Sequence, residues 1–384
     1  MLRTIILLSP VFVSLFWGIT LAGSAKNQSV PRRYLGIFML FPFACFISHF
    51  LYFAPLHGIY IYADYIYQYT GSLMLPLYYI YFRLLTVDQK FSFKTHARYL
   101  AIPTLIATVY CIGAILTPTI EFRTWLFDEH EYPNSHYIQF LEFMRNLQRL
   151  QFLIFAVLIV IGNYLLLKKY GYRAEQFYSD INDGKYYNAK MLNYSIIITS
   201  GVTFIAVIIG RGLLISKDTI IIIIWSIMTI MIYLIGYMGF KQKPINPTYL
   251  ENQEDIHNPN ETALIDSQKI ILQNVLFQFT ENKIYLDSKL NIMDVVHTVG
   301  TNRTYISNII NQQYNQNFCN FVNSYRVDEL KKVLIENPDF TIDMLSEKCG
   351  FGSAISMKRA VHAKTGKSLT ELKKQVQNSN KYLK

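Results

Sequence analysis

The chain has 384 residues, 52% of them hydrophobic and only 16% charged, with a formal net charge of +10. A charged fraction this low excludes a single water-soluble core of this size, so the chain is read as divided between two solvents. Four cysteines, Cys45 and Cys111 in apolar runs and Cys319 and Cys349 near the end, have no metal-ligand spacing and imply neither a zinc site nor a disulfide frame.

Seven apolar runs precede residue 241: Thr4 to Ala22, Tyr34 to Ala54, Tyr65 to Phe82, Tyr99 to Thr117, Leu150 to Leu167, Met191 to Ile215 and Thr219 to Phe240. At about 1.5 Å of rise per residue each can cross a hydrocarbon core of about 30 Å. The reading is a seven-helix transmembrane bundle over residues 1–240.

Basic residues choose its orientation, because Lys and Arg flanking spans stay on the cytoplasmic side. Alternate connections differ sharply: one set holds twelve, namely Lys26, Arg32, Arg33, Arg83, Lys90, Lys94, Arg98, Lys168, Lys169, Arg173, Lys185 and Lys190. The other set holds Arg3, Arg123, Arg145, Arg149 and Lys217. The first set is therefore placed inside, the N-terminus outside and everything after Phe240 inside. Ala22-Gly23-Ser24-Ala25 after an apolar run also fits a signal peptide. Cleavage there would leave six spans and put the tail outside, against the charge rule, so an uncleaved first span is preferred.

The membrane part also explains most of the positive charge. Residues 1–240 hold 18 basic and 11 acidic residues, and the remainder 18 and 15, so net charge alone does not identify the tail as a nucleic-acid binder. Residues 241–263, with Pro244, Pro247 and Pro259, read as a flexible cytoplasmic linker with a reach of roughly 25 Å.

Residues 264–384 return to water-soluble helical periodicity. Ile270, Ile271, Leu272, Val275, Leu276 and Phe279 mark one amphipathic helix. Asn291 caps a second with Ile292, Val295, Val296 and Val299 on one face, and Gly300 stops it. A third starts at Asn302 and turns Ile306, Ile309 and Ile310 inward. A long helix from Phe318 to Ile335 buries Phe318, Phe321, Val322, Tyr325, Leu330, Val333 and Leu334 and ends before Pro338.

The pattern then repeats. Thr341 caps a helix with Ile342 and Leu345 inward, Cys349-Gly350-Phe351 turns, and Ser353 caps a helix burying Met357, Ala360 and Val361. Ser368 to Glu371 is a capping box opening the last helix. Helix, glycine turn, helix, stated twice about fifty residues apart and joined by one long helix, is two helix-turn-helix units.

Over residues 266–376, with the stretch SEKCGFGSAISMKRAVHAKTGKSLTELKK, the chain resembles the DNA-binding domain of AraC-type bacterial transcription regulators. Met357 and Val361 stand where that family usually has aromatic residues, and Leu369, Leu372 and Lys373 replace its usual proline, tyrosine and arginine. The resemblance implies double-stranded DNA as partner, with the second helix of each unit in the major groove. By position it assigns base reading to Thr304, Ser307 and Asn308 in the first unit.

The outward residues of the first recognition helix are Arg303, Thr304, Ser307, Asn308 and Asn311; those of the second are Ala354, Ser356, Lys358, Arg359 and His362. Ser356, Lys358 and Arg359 are taken to face bases. Arg359 is the strongest candidate, since a guanidinium can bond guanine O6 and N7 together. Arg303, Asn311, Lys364 and Lys367 are assigned to phosphates; Lys358 is a phosphate candidate as well. Arg326 is read as structural, pairing with a neighbouring acid, and His297 as a surface residue.

No catalytic residue, metal site or cofactor is assigned, because the chain lacks H-E-x-x-H, phosphate-loop and nucleophile motifs and its carboxylates Asp64 and Glu142 sit at span ends. Polar residues at membrane depth are Asn163 and His49, with Arg211 nearer a face; interhelical hydrogen bonding explains the first two at least as well as a ligand does. Glu121, Asp128, Glu129, His130, Glu131 and His136 form an acidic outer loop, read as solvated. The 168–190 connection is basic, rich in tyrosine and adjacent to the tail, which marks it as a docking candidate.

The whole is read as an all-α, multi-pass protein of the bacterial inner membrane whose cytoplasmic domain binds DNA and whose membrane part receives a small-molecule or protein signal. Homodimerisation through the spans is compatible with this layout. The alternative is a transporter or other membrane protein whose degenerate helix-turn-helix tail serves protein interaction or is released by proteolysis.

Overall fold

The computed structural model describes residues 1–23, 29–54, 56–88, 90–127, 135–180, 185–241 and 261–381. They form helices in two compact units: Met1–Leu167 with Asn188–Pro247, and Lys168–Tyr187 with Thr248–Lys384. Most of the expected linker lies outside the described residues, as do Asp128, Glu129, His130 and Glu131 of the outer loop.

The first unit contains α1 (Leu2–Ala22), α2 (Val30–Phe38), α3 (Leu40–Phe53), α4 (His57–Thr86), α5 (Phe93–Leu116), α6 (Thr119–Phe127), most of α7 (His136–Phe177), α8 (Lys185–Ser216) and α9 (Asp218–Lys241). Helix α1 packs against α2, α3 and α9, while α4 packs against α2, α3 and α5. Gly36 permits the close crossing of α1 and α2, because a Cβ there would stand 2.5 Å from the backbone nitrogen of Ala22.

Six of the described helical stretches are long and apolar enough to cross a membrane: Leu2–Ala22, Val30–Phe53, Phe93–Leu116, His136–Phe177, Ala189–Gly210 and Asp218–Lys241. The expected third span, α4, is not among them. It has 30 residues and ample length, but its tyrosines, Asp64 and Gln68 dilute its apolar character. Another expected span is interrupted: the run Met191 to Ile215 breaks at Gly210, whose φ of 77° and ψ of 164° are not helical.

Asp64 is a larger departure from the sequence reading. It lies inside α4, fully buried, instead of at the end of a span. Tyr60 and Tyr110 donate their hydroxyls to its carboxylate at 3.1 and 2.7 Å, and Gln68 donates its amide at 3.2 Å. A carboxylate withdrawn from water is tolerated where its lone pairs find donors in this way. Asn163, also fully buried, does not make the expected interhelical bonds: neither of its amide atoms has a hydrogen-bond partner among the described residues. His49 packs among aromatic rings, 4.9 Å from Tyr67 and 5.5 Å from Trp225 between centroids.

The second unit holds the end of α7 and then α10 (Glu261–Thr280), α11 (Ile292–Val299), α12 (Arg303–Tyr314), α13 (Phe318–Glu336), α14 (Ile342–Lys348), α15 (Ala354–Thr365) and α16 (Leu369–Lys381). Its apolar interior is in two parts. One gathers Val275, Phe279, Ile292, Ile306, Phe318 and Phe321; the other gathers Leu330, Leu345, Phe351, Met357, Val361 and Leu372. Helix α13 serves both, its first turns facing the first cluster and its later turns the second. That division keeps two small cores in fixed relation through one rigid rod of 19 residues, about 28 Å long at 1.5 Å per residue.

Candidate nucleic-acid interface

The helices α12 and α15 are positioned by the same local chemistry. In the first helix-turn-helix pair the side chain of Asn291 accepts from Met293 N, and Asp294 reaches back to Asn291 N, so α11 starts in a capping box. Gly300 ends α11 in the left-handed region with φ of 71°, and Asn302 then caps α12 by accepting from Tyr305 N at 3.0 Å. Ile306, Ile309 and Ile310 are buried beneath α12, fixing which face remains outside.

The second helix-turn-helix pair repeats these devices. Thr341 caps α14, Gly350 makes the turn with φ of 76°, and Ser353 caps α15. Glycine is required at 350 twice over, since a Cβ would lie 2.6 Å from the backbone of Leu286. Met357 and Val361 are completely buried, so these smaller side chains fill the positions held by aromatic residues in the resembling family. Each such burial contributes about 1.5–3 kcal/mol. Leu369 and Leu372 are buried too, and α16 opens on the expected box, with Ser368 N donating to Glu371 at 2.7 Å and Glu371 N donating to Ser368 Oγ at 3.2 Å.

On α12, Asn308 and Asn311 are exposed, while Arg303, Thr304 and Ser307 are half-buried. On α15, Lys358, Arg359 and His362 are exposed. Ser356 departs from the expectation that it faces outward. It is buried, with its hydroxyl 2.8 Å from Ser353 O and 3.2 Å from Ser353 N, closing the capping box. The exposed residue at the start of that face is Ile355, 61% accessible, which the sequence reading missed. The spacing 355, 358, 359, 362 is one helical stripe, and α12 has the matching stripe 304, 307, 308, 311.

The charges on these faces differ. Helix α12 presents mostly neutral hydrogen-bonding groups, whereas α15 carries Lys358 and Arg359 with an apolar side chain beside them. Lys364 is held in contacts with α13, donating to the Ser324 carbonyl at 2.6 Å and to Asp328 at 2.5 Å. Burial opposes ionisation of Asp328, but Lys364 and Lys331 outweigh it and hold that carboxyl below its ordinary range. Lys367 is exposed and donates to Gln375 at 2.7 Å. His297 is exposed, as expected, while Ile342, expected inward, is 44% accessible.

Arg326 is the interior group whose partners differ most from expectation. It is fully buried within α13, and its guanidinium donates to carbonyl oxygens and to Asn323 and Ser179 side chains instead of to one acidic residue. Burial lowers its pKa to about 10, partly countered by the fields of Asp180, Cys319 and Asp287.

Among the described residues no group of His, Cys, Asp and Glu is arranged to hold a metal ion. No curated protein and no solved structure matches the chain. Residues 295–375 match a family model described as a helix-turn-helix domain, which supports an AraC-type DNA-binding module in that part of the chain.

Proposed function

We propose that the chain is a membrane-bound one-component transcription regulator that binds specific DNA sequences through its two helix-turn-helix units. The observation that carries this is the presence in one chain of six helices able to cross a membrane and a DNA-binding regulatory domain after the last of them. Counted with α4 as a seventh, tyrosine-rich span, the basic connections fall on one side and the tail on that same side, the cytoplasm. The inner membrane of a bacterium is the compartment where both halves meet their solvents.

In this reading Thr304, Ser307 and Asn308 of α12 and Lys358 and Arg359 of α15 read bases, while Arg303, Asn311 and Lys367 meet phosphates. Lys364 joins the phosphate contacts only by leaving Asp328. Ser356 supports α15 from beneath as part of its cap. The membrane part receives the signal, and the buried Asp64 with Tyr60, Gln68 and Tyr110 is a polar network joining α4 to α5, whose rearrangement alters how the two helices are held together.

Alkaline phosphatase fused after Lys243 tests the topology on which the function depends. The fusion should be inactive, its enzyme retained in the cytoplasm; an active fusion would place the helix-turn-helix domain away from DNA and overturn the proposal.

A further inference from the structure

The second unit is not built from the tail alone. The last turns of α7 and the residues after it, Glu175 to Asp180, are packed into it as an integral strap. Phe177 is buried in the same cluster as Val275, Ile292, Ile306 and Phe318. Tyr178 forms an antiparallel bridge with Asn291, and Ser179 N donates to Leu290 O at 3.1 Å. Arg326 then grips Ser179 from within, donating to its carbonyl at 3.2 Å and its hydroxyl at 3.0 Å.

What the strap touches on its other side is the DNA-reading machinery. Ser307 donates to Gln176 Oε1 at 3.4 Å, and the Arg303 guanidinium lies over the Phe177 ring, 5.7 Å from its centroid. Asn317, the N-cap of α13, donates to Glu175 at 3.1 Å. Asp180 accepts from Gly352 N at 3.0 Å, immediately before the cap of α15. A carboxylate at that place presents negative charge where the start of a recognition helix would otherwise approach a DNA phosphate. One segment of six residues thus engages α12 and the entry to α15 together.

We propose that the strap Glu175–Asp180 is a regulatory latch: docked, it withholds Arg303 and Ser307 from DNA and sets Asp180 against the entry to α15, and its release frees both units to bind. The proposal rests on the DNA-reading function given above and assigns its control to a segment of this chain. The strap is the C-terminal end of α7, the helix whose apolar middle is a candidate span, so a displacement of α7 is the natural means of release.

The geometry provides its own test. An ideal Cβ built on Gly352 lies 3.9 Å from the Asp180 Cβ, within the usual separation for a disulfide. The Asp180→Cys/Gly352→Cys variant of the full chain is placed in lipid nanodiscs, and duplexes are selected from a random-sequence pool by the Gln176→Ala/Asp180→Asn variant. The oxidised cysteine variant should bind those duplexes about tenfold more weakly than the same preparation after reduction, the loss of roughly one base contact. Reversal by dithiothreitol on one sample separates locking from misfolding. Equal binding before and after reduction, with the disulfide confirmed by mass spectrometry, overturns the latch and leaves DNA reading intact. Failure of every form, including Gln176→Ala/Asp180→Asn and wild type, to select any duplex overturns DNA reading and the latch with it.

Discussion

The Arg326 guanidinium bonds the carbonyl and the hydroxyl of Ser179, a residue 147 positions earlier in the chain. The same side chain reaches the Tyr285 carbonyl and the Asp287 carbonyl, each at 2.7 Å, so a single buried cation joins three chain segments. Hydrogen bonds to a charged donor are worth more than neutral ones, and acceptors stranded in the interior are costly. Arg326→Met fills similar space but strands those carbonyls. We expect it to destabilise the second unit by about 3 kcal/mol or more, taking about 1–3 kcal/mol per stranded acceptor. Hydrogen exchange in the full chain should show lost protection at residues 285–290 and 175–180 first; unchanged protection there would contradict this role for Arg326.

Arg359 carries the sharpest statement about DNA specificity. Its exposed position on α15 beside Lys358 suits bidentate reading of guanine. Arg359→Ala should cost about 1–3 kcal/mol at one base pair and leave preferences elsewhere in the site unchanged. A uniform loss across all sequences, with a shallower salt dependence, would make it a phosphate contact instead.

Gly350 tests whether the second turn is as constrained as its geometry says. Its positive φ and its approach to Leu286 both exclude a Cβ. Gly350→Ala should lower stability by at least about 1 kcal/mol from backbone conformation alone, with displacement of Leu286 adding to it. Gly300 also has a positive φ but open space around its Cα, so Gly300→Ala should cost less. Thermal unfolding of both variants ranks them; the opposite order would contradict the packing argument.

Docking of the strap should depend on pH through Glu175. Burial raises its pKa, while the hydrogen bond from Asn317 works in the other direction. A carboxyl whose pKa is raised by docking holds its proton more tightly when docked. Docking is therefore strongest below the ordinary glutamate range, weakens as pH rises through the window up to the raised value, and is level above it. Glu175→Gln should remove that slope. The protection of residues 175–180 against hydrogen exchange, corrected for intrinsic rate and followed across mildly acidic pH, checks the sign; a slope that persists in Glu175→Gln would assign the effect to another group.

The parts of the second unit that could be read from the sequence are those fixed by near neighbours. Asn291, Asn302, Thr341, Ser353 and Ser368 cap helices within three residues of themselves, and the buried isoleucines of α12 follow helical spacing. Ser356 was misread because its place in the capping box draws its hydroxyl back toward Ser353, leaving Ile355 at the head of the exposed stripe. The partners of Arg326 and the depth of Asp64 depend on residues brought together from distant parts of the chain, and no local pattern encodes them. Adjacency pointed to the 168–190 connection as a docking segment, but not to Phe177 in the core or to Gln176 against Ser307. Span counting was hardest at α4, where tyrosines and a buried carboxylate lower hydropathy without shortening the helix.

Genome-wide footprinting of the intact protein in its host, with the membrane fraction collected in parallel, tests the central claim most directly. Discrete protected sites sharing a sequence motif, with the protein recovered at full length in membranes, are the predicted result. An absence of enriched sites, or sites occupied only by a soluble fragment carrying the tail, would contradict a regulator that reads DNA while held in the membrane.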